Sequence, residues 1–439
     1  MPTHAIIIGA SMAGLLTARV LSRFVDQVTI LERDPVQDTP EARRGQPQTR
    51  HTHALLAQGH QVIEQLFPGL TATAVAEGAI SGDMAERSWW YTFGGYRRRF
   101  PSGYHGILSS RPFLEWQVRR RLLELPNITL RDQVVVDRLI TNANNQRILG
   151  VAITQRGDTA IHEQLSADLV IDCTGRGSQS PKWLEAIGYG RPPEQIVKVD
   201  MGYATRVYRA IPGDQHEANS FLSFQTPPAK CAGFAFRIEG DRWIVTIGGH
   251  HGMHAPTDQA GFLEFARNLP TPEIYDLISR AEPLSEIMAY KIPSSLRRNY
   301  EQMRRFPEGY LVLGDAICSF NPIYGQGMTS AALQAQALDQ LLSRRHGMLT
   351  GLAKPFFRQA AKVIDIPWQL AVGEDFRFPE TSGPKAFGTD LINQYVAMIH
   401  RATHRDPVVY GAFLKVMNLI ATPTSLFAPD ILWRVIRAQ

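Results

Sequence analysis

The chain has 439 residues, 44% of them hydrophobic and 20% charged, with a formal net charge of +5. That composition suits a globular protein with a sizeable core and material for two to three domains, and it argues against a disordered or strongly nucleic-acid-binding chain. The three cysteines, Cys173, Cys231 and Cys318, stand far apart without CxxC or Cys/His spacing, so neither a disulfide framework nor a metal site is expected, and a reducing, cytoplasmic setting fits best.

The first segment, AIIIGASMAGLLTARVL from Ala5, opens with a β-branched run at 5–8, the signature of a strand buried on both faces. Gly9, Ala10, Ser11, Met12, Ala13 and Gly14 then form a turn into a helix that carries on through Leu21. A second strand at 28–31 ends in Glu32, followed by Arg33. This β-turn-α-β order, with an acid 18 residues after the last glycine, is dinucleotide geometry: pyrophosphate at a helix N-terminus and the acid on a ribose hydroxyl. Serine at position 11 breaks the strict G-x-G-x-x-G pattern, but it is small enough for a phosphate to approach and adds a hydroxyl donor. The competing reading is a plain strand–helix connection. The N-terminus lacks a basic region and an A-x-A site, so no signal peptide is expected, and no apolar run is long enough for a transmembrane helix.

Further along, SSRPFLEWQVRRRLLE from Ser109 places Arg111 and Pro112 before a helix with Phe113, Leu114, Val118, Leu122 and Leu123. Its triplet Arg119, Arg120 and Arg121, like Arg97, Arg98 and Arg99, is expected on a solvated face. DLVIDCTGRGSQSP from Asp168 reads as a buried strand ending at Asp172 and a small-residue turn through Gly175. In GYLVLGDAICSFNPIYGQGMTSAALQAQALDQLL from Gly309, a strand at 311–313 leads to Gly314 and Asp315, then Pro322, Gly325, Gln326, Gly327 and Met328 open a helix. Such a helix start directs amide donors at an electron-rich group, such as the flavin N1–C2=O edge, with Asp315 suited to ribityl hydroxyls.

In order and spacing these four segments resemble the flavoprotein monooxygenases of the para-hydroxybenzoate hydroxylase fold. The match spans roughly residues 1–342, with Cys-Thr-Gly where many members have Cys-Asp-Gly. The resemblance implies an α/β protein: a Rossmann-like FAD-binding domain, an inserted β-sheet substrate domain and a C-terminal helical region. It implies FAD held by Gly9, Ser11, Met12, Ala13, Gly14, Glu32, Arg33, Arg50, Arg111, Asp172, Gly175, Gly314, Asp315, Pro322, Gly325, Gln326, Gly327 and Met328. The segments at 43–70 and 241–270 look like bacterial polyether-type epoxidases and polyprenyl hydroxylase-like oxidoreductases. In that likeness Arg50, His51 and His53 approach the flavin side of the pocket.

The implied reaction inserts one oxygen atom from O2 into a small lipophilic substrate, by alkene epoxidation or hydroxylation through a flavin C4a-hydroperoxide. NAD(P)H, or a separate flavin reductase, supplies electrons, and secondary metabolism is the expected setting. No catalytic residue is fixed by the sequence; His53, Tyr324 and His250 are the candidates for the pocket wall. Three alternatives stay open: a geranylgeranyl-reductase-like alkene reductase, a flavin halogenase, and a non-redox flavoprotein. The W-x-W-x-I-P segment of halogenases is absent.

The expected FAD domain is discontinuous, at 1–78, 104–180 and 296–345. The substrate sheet takes 79–103 and 181–295. It includes a hairpin at 88–100 around Gly94 and Gly95 and strands at 201–208, 221–225, 233–238 and 242–248. Residues 346–439 read as helices broken by Pro367, Pro379, Pro384, Pro407, Pro423 and Pro429, packing as a lid or making a weak membrane-surface contact.

Overall fold

The computed structural model describes residues 2–157, 160–211, 213, 217–224 and 226–439. A five-stranded parallel sheet lies at its centre, in the order Tyr310–Val312, Leu169–Asp172, His4–Ile8, Gln27–Leu31, Ile128–Arg131. Ile6, Ile7, Val170 and Ile171 are fully buried, because helices cover one face and further chain the other. The helices Met12–Leu21, Arg111–Leu123 and Gly327–Arg344 pack together against it. Residues 134–166, for which the sequence suggests no element, form a three-stranded antiparallel sheet.

The second large sheet has eight strands, in the order Cys318–Ser319, Met288–Arg298, Glu194–Arg209, Arg242–Gly249, Cys231–Ile238, Ser220–Ser223, Ser88–Thr92, Gly95–Tyr96. The expected strands fall inside it, with shifted ends. The hairpin is shorter than its aromatic run suggests, and the strand expected at 221–225 ends at Ser223; Gln225 itself lies outside the described residues. Alternation sorts its side chains. Ala204, Phe221, Ala235, Val245 and Ile247 form a core that includes Phe262 and Ile274 from the helices Gln259–Arg267 and Glu273–Arg280. Tyr203, Thr246, Phe234 and Leu222 face the opposite way, into a cavity roofed in part by the ribbon Ile80–Asp83 and His105–Leu108.

The C-terminal region is helical, and most of its prolines separate helices as expected, with one exception. Pro367 lies inside the helix Ala353–Asp375 instead of ending it. The missing amide costs roughly 3 kcal/mol, and burial of Phe356, Phe357, Ile364 and Trp368 in the main core outweighs it. Pro407 and Pro429 start the helices Pro407–Met417 and Pro429–Arg437, where their fixed φ suits the first helical position. Two of the arginines expected on solvated faces are buried. Arg119 donates to the Gln37 carbonyl (2.6 Å), and Arg97 sits 4.0 Å over the Trp90 ring. Among the described residues, no helix is long and apolar enough to cross a membrane.

One residue pins this region to the body. The Asn418 Oδ1 accepts the Ala57 amide at 2.9 Å, capping the helix Ala57–Leu66, whose own preceding residue Leu56 offers no side-chain cap. The Asn418 carbonyl also accepts the Gln58 amide at 3.3 Å. Asn418→Ala is expected to lower stability by about 1 kcal/mol, read as the urea midpoint, while Asn418→Asp keeps most of it. Equal midpoints for wild type and the alanine variant would show that the cap contributes nothing.

Candidate functional site

The carboxyl ends of the parallel strands carry the segments that the sequence singles out, and the fold sets them side by side. Gly9 has φ +104°, and a Cβ there would lie 2.8 Å from the Cys173 carbonyl oxygen. A Cβ on Gly14 would lie 1.9 Å from the Gly9 carbonyl oxygen. Only glycine permits this approach of helix, turn and neighbouring strand. The Met12 and Ala13 amides, at the start of the helix, have no hydrogen-bond partner among the described residues. The Ser11 hydroxyl is not the spare donor that the sequence suggests. It donates to Glu115 Oε2 (2.7 Å) and accepts from Arg111 Nη2 (2.9 Å).

Behind the turn lies a buried ionic cluster. Glu32 accepts the amides of Ala10 (2.9 Å) and Asp34 (3.1 Å) and pairs with Arg43 Nη1 at 2.9 Å. Arg43 Nη2 reaches Glu115 Oε1 at 2.5 Å and the Ala10 carbonyl at 2.8 Å. Burial works against the charge on Glu115, but Arg111 and Arg43 hold its carboxyl below the usual range. Burial likewise opposes the charge on Arg43, and Glu115 with Glu32 more than compensates, raising its pKa. The sequence reading missed both Arg43 and Glu115. Glu115 carries a signal, standing one helical turn beyond Arg111; nothing local marks Arg43. Arg33 is exposed and donates to the Gly45 carbonyl (2.9 Å). Arg50 is exposed too, with Met288 Sδ at 4.0 Å as its contact; the buried Arg43 stands behind the turn instead.

The other segments close the ring. Gly314 has φ +72°, and a Cβ there would lie 2.7 Å from the Ala13 Cβ; one on Gly175 would lie 4.0 Å from the Asp315 Cβ, and one on Gly327 3.7 Å from Asp315 Oδ1. The Asp315 carboxylate has no hydrogen-bond partner among the described residues. It is exposed to open space, and desolvation by the surrounding protein raises its pKa against the pull of Arg111 and Arg176. Gln326 is buried with neither amide atom partnered, beside Gly325 in left-handed conformation and the buried Met328. Asp172 is a correction to the sequence reading. Its oxygens accept from the Thr174 amide and hydroxyl and from the hydroxyls of Ser178 and Ser180, which spends the carboxylate on shaping its own turn.

The cavity meets this ring at Pro322, Tyr324 and Gly325. Thr52 and Thr246, both lining it, share a 2.6 Å hydrogen bond, and Thr246 is linked through Thr205 (2.6 Å) to His51 Nδ1 (2.7 Å). His53 lies outside the cavity lining, with Nδ1 bonded to the His51 carbonyl (2.9 Å). His250 is a second correction. It is wholly buried, stacked on Phe378 and 2.8 Å from Asn321 Nδ2, and takes no part in the cavity wall. Tyr324 does line the cavity, and its hydroxyl donates to Asp375 Oδ1 at 3.0 Å.

A parallel sheet with this ring at its strand ends, and an antiparallel sheet facing a cavity beside it, define the flavoprotein monooxygenase fold of para-hydroxybenzoate hydroxylase type. Solved structures share it. The flavin-dependent brominase Bmp2, as a triple mutant, aligns with a TM-score of 0.66 at 14% identity over 99% of each chain. PqsL, a probable FAD-dependent monooxygenase from Pseudomonas aeruginosa, aligns with a TM-score of 0.60 at 19% identity over 86% of this chain and 99% of its own. No protein-family model matches. Protein Rv3254 of Mycobacterium tuberculosis is 33% identical over 439 residues, covering 95% of this chain and 90% of that protein, and the chain belongs to its family.

Two outcomes follow. Arg43→Met leaves the buried Glu32 without a cationic partner and Glu115 with Arg111 alone, and should cost about 3–5 kcal/mol, measured as a urea midpoint. Arg43→Lys should recover only part of this, because a single ammonium cannot span both acids. Three histidines set an acid limit. Burial, helped by Arg50, lowers the pKa of His51 to about 4; burial and then Arg111 lower His53 to about 3; burial lowers His400 to about 4 against the pull of Glu374. The unfolded chain therefore binds more protons below about pH 6.5. Stability should be full above that pH and fall towards pH 4, by roughly 1.4 kcal/mol per unit for each histidine. Urea midpoints at neutral and mildly acid pH measure this; a flat profile would contradict it.

Proposed function

We propose that the chain is an FAD-dependent monooxygenase that places one oxygen atom from O2 on a small lipophilic substrate, by epoxidation of an alkene in preference to hydroxylation of a phenol. The observation that carries the choice is the cavity itself. Its walls are mostly aliphatic and aromatic, and its ionisable groups include no free general base among the described residues. Burial pushes Asp83 up, but bonds from the Glu86 and Ala85 amides, with Ser102 and Gly103, hold it below its ordinary value and occupy its oxygens. Burial keeps the Tyr203 and Tyr324 hydroxyls protonated. An alkene needs no deprotonation before it accepts oxygen, whereas a phenol gains from losing its proton.

The residues present fit FAD. Gln326 is a buried amide with no protein partner, Asp315 a carboxylate with none, and around Gly177 and Gly175 there is open space where other residues would carry a side chain. In this reading the 9–14 turn and the open helix end hold the pyrophosphate, with Glu32 and Arg43 at the adenosine end. Asp315 meets the ribityl hydroxyls, and Gly325 to Met328 meet the ring edge. Bound FAD, once reduced, supplies the activation of O2 and the transfer of one oxygen atom. The chain contributes position and dryness: Tyr324 and the Pro322–Tyr324 turn wall the reacting end, and the apolar walls exclude water. NAD(P)H or a separate reductase serves as electron donor, and the setting is secondary metabolism in the cytoplasm. A weak peripheral membrane contact for substrate loading belongs to the reading, supported by exposed Leu391, Ile392, Trp433 and Ile436 on the C-terminal helices.

The test begins with the visible spectrum of the protein after FAD is added, followed by oxygen uptake with NAD(P)H and polyene substrates. Flavin bands with substrate-dependent oxygen uptake and an epoxide product are the expected result. Saturated product without oxygen uptake would shift the assignment to an alkene reductase, and a brominated product that needs bromide would shift it to a halogenase. Asp315→Ala should weaken FAD binding by about 10-fold or more while leaving the apoprotein as stable as before, since the carboxylate bonds to nothing in the protein. Unchanged FAD affinity would remove Asp315 from the site.

A further inference from the structure

The cavity wall contains a straight row that the strand register makes explicit. Thr246 stands opposite Phe234, Phe234 opposite Leu222, and Leu222 opposite Trp90, across four adjacent strands. All four side chains line the cavity. Paired residues in a sheet share a face, so the row is continuous, and three inter-strand steps of about 4.8 Å give it a length of about 14 Å. One end is defined by chemistry. Thr246 bonds Thr52, and Ala54, two residues along the chain, packs against Gly325; a Cβ on that glycine would lie 2.7 Å from the Ala54 Cβ. This is the end beside the cofactor ring edge. The middle of the row, Phe234 and Leu222, offers no polar side-chain atom.

The far end is a reinforced wall. Trp90 is wedged against Phe224, with ring centroids 5.4 Å apart, and carries the Arg97 guanidinium 4.0 Å over its face. Arg97 in turn bonds Thr403 Oγ1 (3.1 Å) and His400 Nδ1 (2.8 Å), and Tyr410 and Phe413 pack on Trp90 at 6.4 and 6.3 Å. These partners come from the helices Thr389–Ala402 and Pro407–Met417 and the turn between them. The indole is thus fixed from behind by the C-terminal region, and a buried arginine stacked on it resists displacement.

We propose that Trp90 is the specificity-determining residue that sets the length of the substrate: an extended apolar chain lies along this row with its oxidised carbon at Thr246 and its tail stopped by the indole. The row accommodates about twelve bonds of extended carbon chain. The C-terminal helical region therefore sets reach as well as cover. This rests on the lipophilic-substrate reading above, and its test needs no turnover.

The full-length protein, not reduced, is titrated with straight-chain primary alcohols from hexanol to hexadecanol, read by displacement of 8-anilinonaphthalene-1-sulfonate. Affinity is expected to rise about fourfold per methylene and then level off near twelve carbons. Trp90→Ala should move the break to longer chains by about four carbons, near the span of the removed indole. Leu222→Trp should move it to clearly shorter ones. If the alanine variant does not fold, the Leu222 variant decides alone. A break that stays in place in a folded Trp90→Ala variant or in Leu222→Trp, or a compact cage alcohol that displaces the probe better than any chain, overturns the proposal. Because binding is read without reduction, failure of the oxygen chemistry would leave the break intact, and loss of the break would leave flavin binding and oxygen uptake intact.

Discussion

Arg43 bridges two buried carboxylates, and the geometry of the glycine-turn cradle hangs on that bridge. Glu32 ends one strand of the parallel sheet, Glu115 sits on a helix, and the Ala10 carbonyl belongs to the turn between strand and first helix. One planar guanidinium with donors on both sides joins all three, a task for which a lysine has the wrong shape. Such a cluster gains little over a well-packed apolar substitute, because desolvation offsets most of the attraction. Its value here is positional: strand end, turn and helix cannot slide without leaving a charge unpaired. Ser11 joins the same cluster through Glu115 and Arg111, which explains how a serine stands where a glycine is usual. It is a fastening, and the close backbone approach is left to Gly9 and Gly14.

From that anchor the molecule divides its work by sheet face. The parallel sheet is buried apart from its edge strand Ile128–Arg131 and the first residues of two inner strands, and it presents its strand ends. The eight-stranded sheet uses alternation, one face for its own core against two short helices and the other for the cavity. The C-terminal helices finish the enclosure: Asn418 fastens them to the helix that starts at Ala57, and Tyr410 and Phe413 back the cavity wall. The cavity is therefore assembled from three regions distant in sequence.

Much of the cradle is legible in the chain because it is local. A β-branched run, a glycine turn and an apolar helix within about twenty residues leave few arrangements, and Gly9, Gly14, Gly314, Asp315 and Gly327 come together as their segments suggest. What sequence reading loses depends on long-range partners. His250 follows a strand and looks free to face a ligand, yet Asn321 and Phe378 from two other regions enclose it. Asp172 looks like an acceptor for a cofactor, but the hydroxyls that claim it are common residues whose direction no pattern reveals. Arg97 and Arg119 read as surface charge because triplets usually are, and only the aromatic pocket and the carbonyls around them show otherwise. Pro367 reads as a break because the hydrogen bond it loses is local, while the burial that holds the helix together is not.

Asp315 has a consequence for the protein's life outside catalysis. Asp315 is exposed, and among the described residues no side chain or amide bonds its carboxylate. A ligand that meets it and is selective for the folded state adds RT ln(1 + [L]/Kd), about 2.7 kcal/mol at a hundredfold excess over Kd. In the FAD-binding reading proposed above, the survival of the chain in a cell is then tied to the supply of that cofactor. Copies made faster than that supply are the ones most open to proteolysis, so abundance follows cofactor without any dedicated regulator.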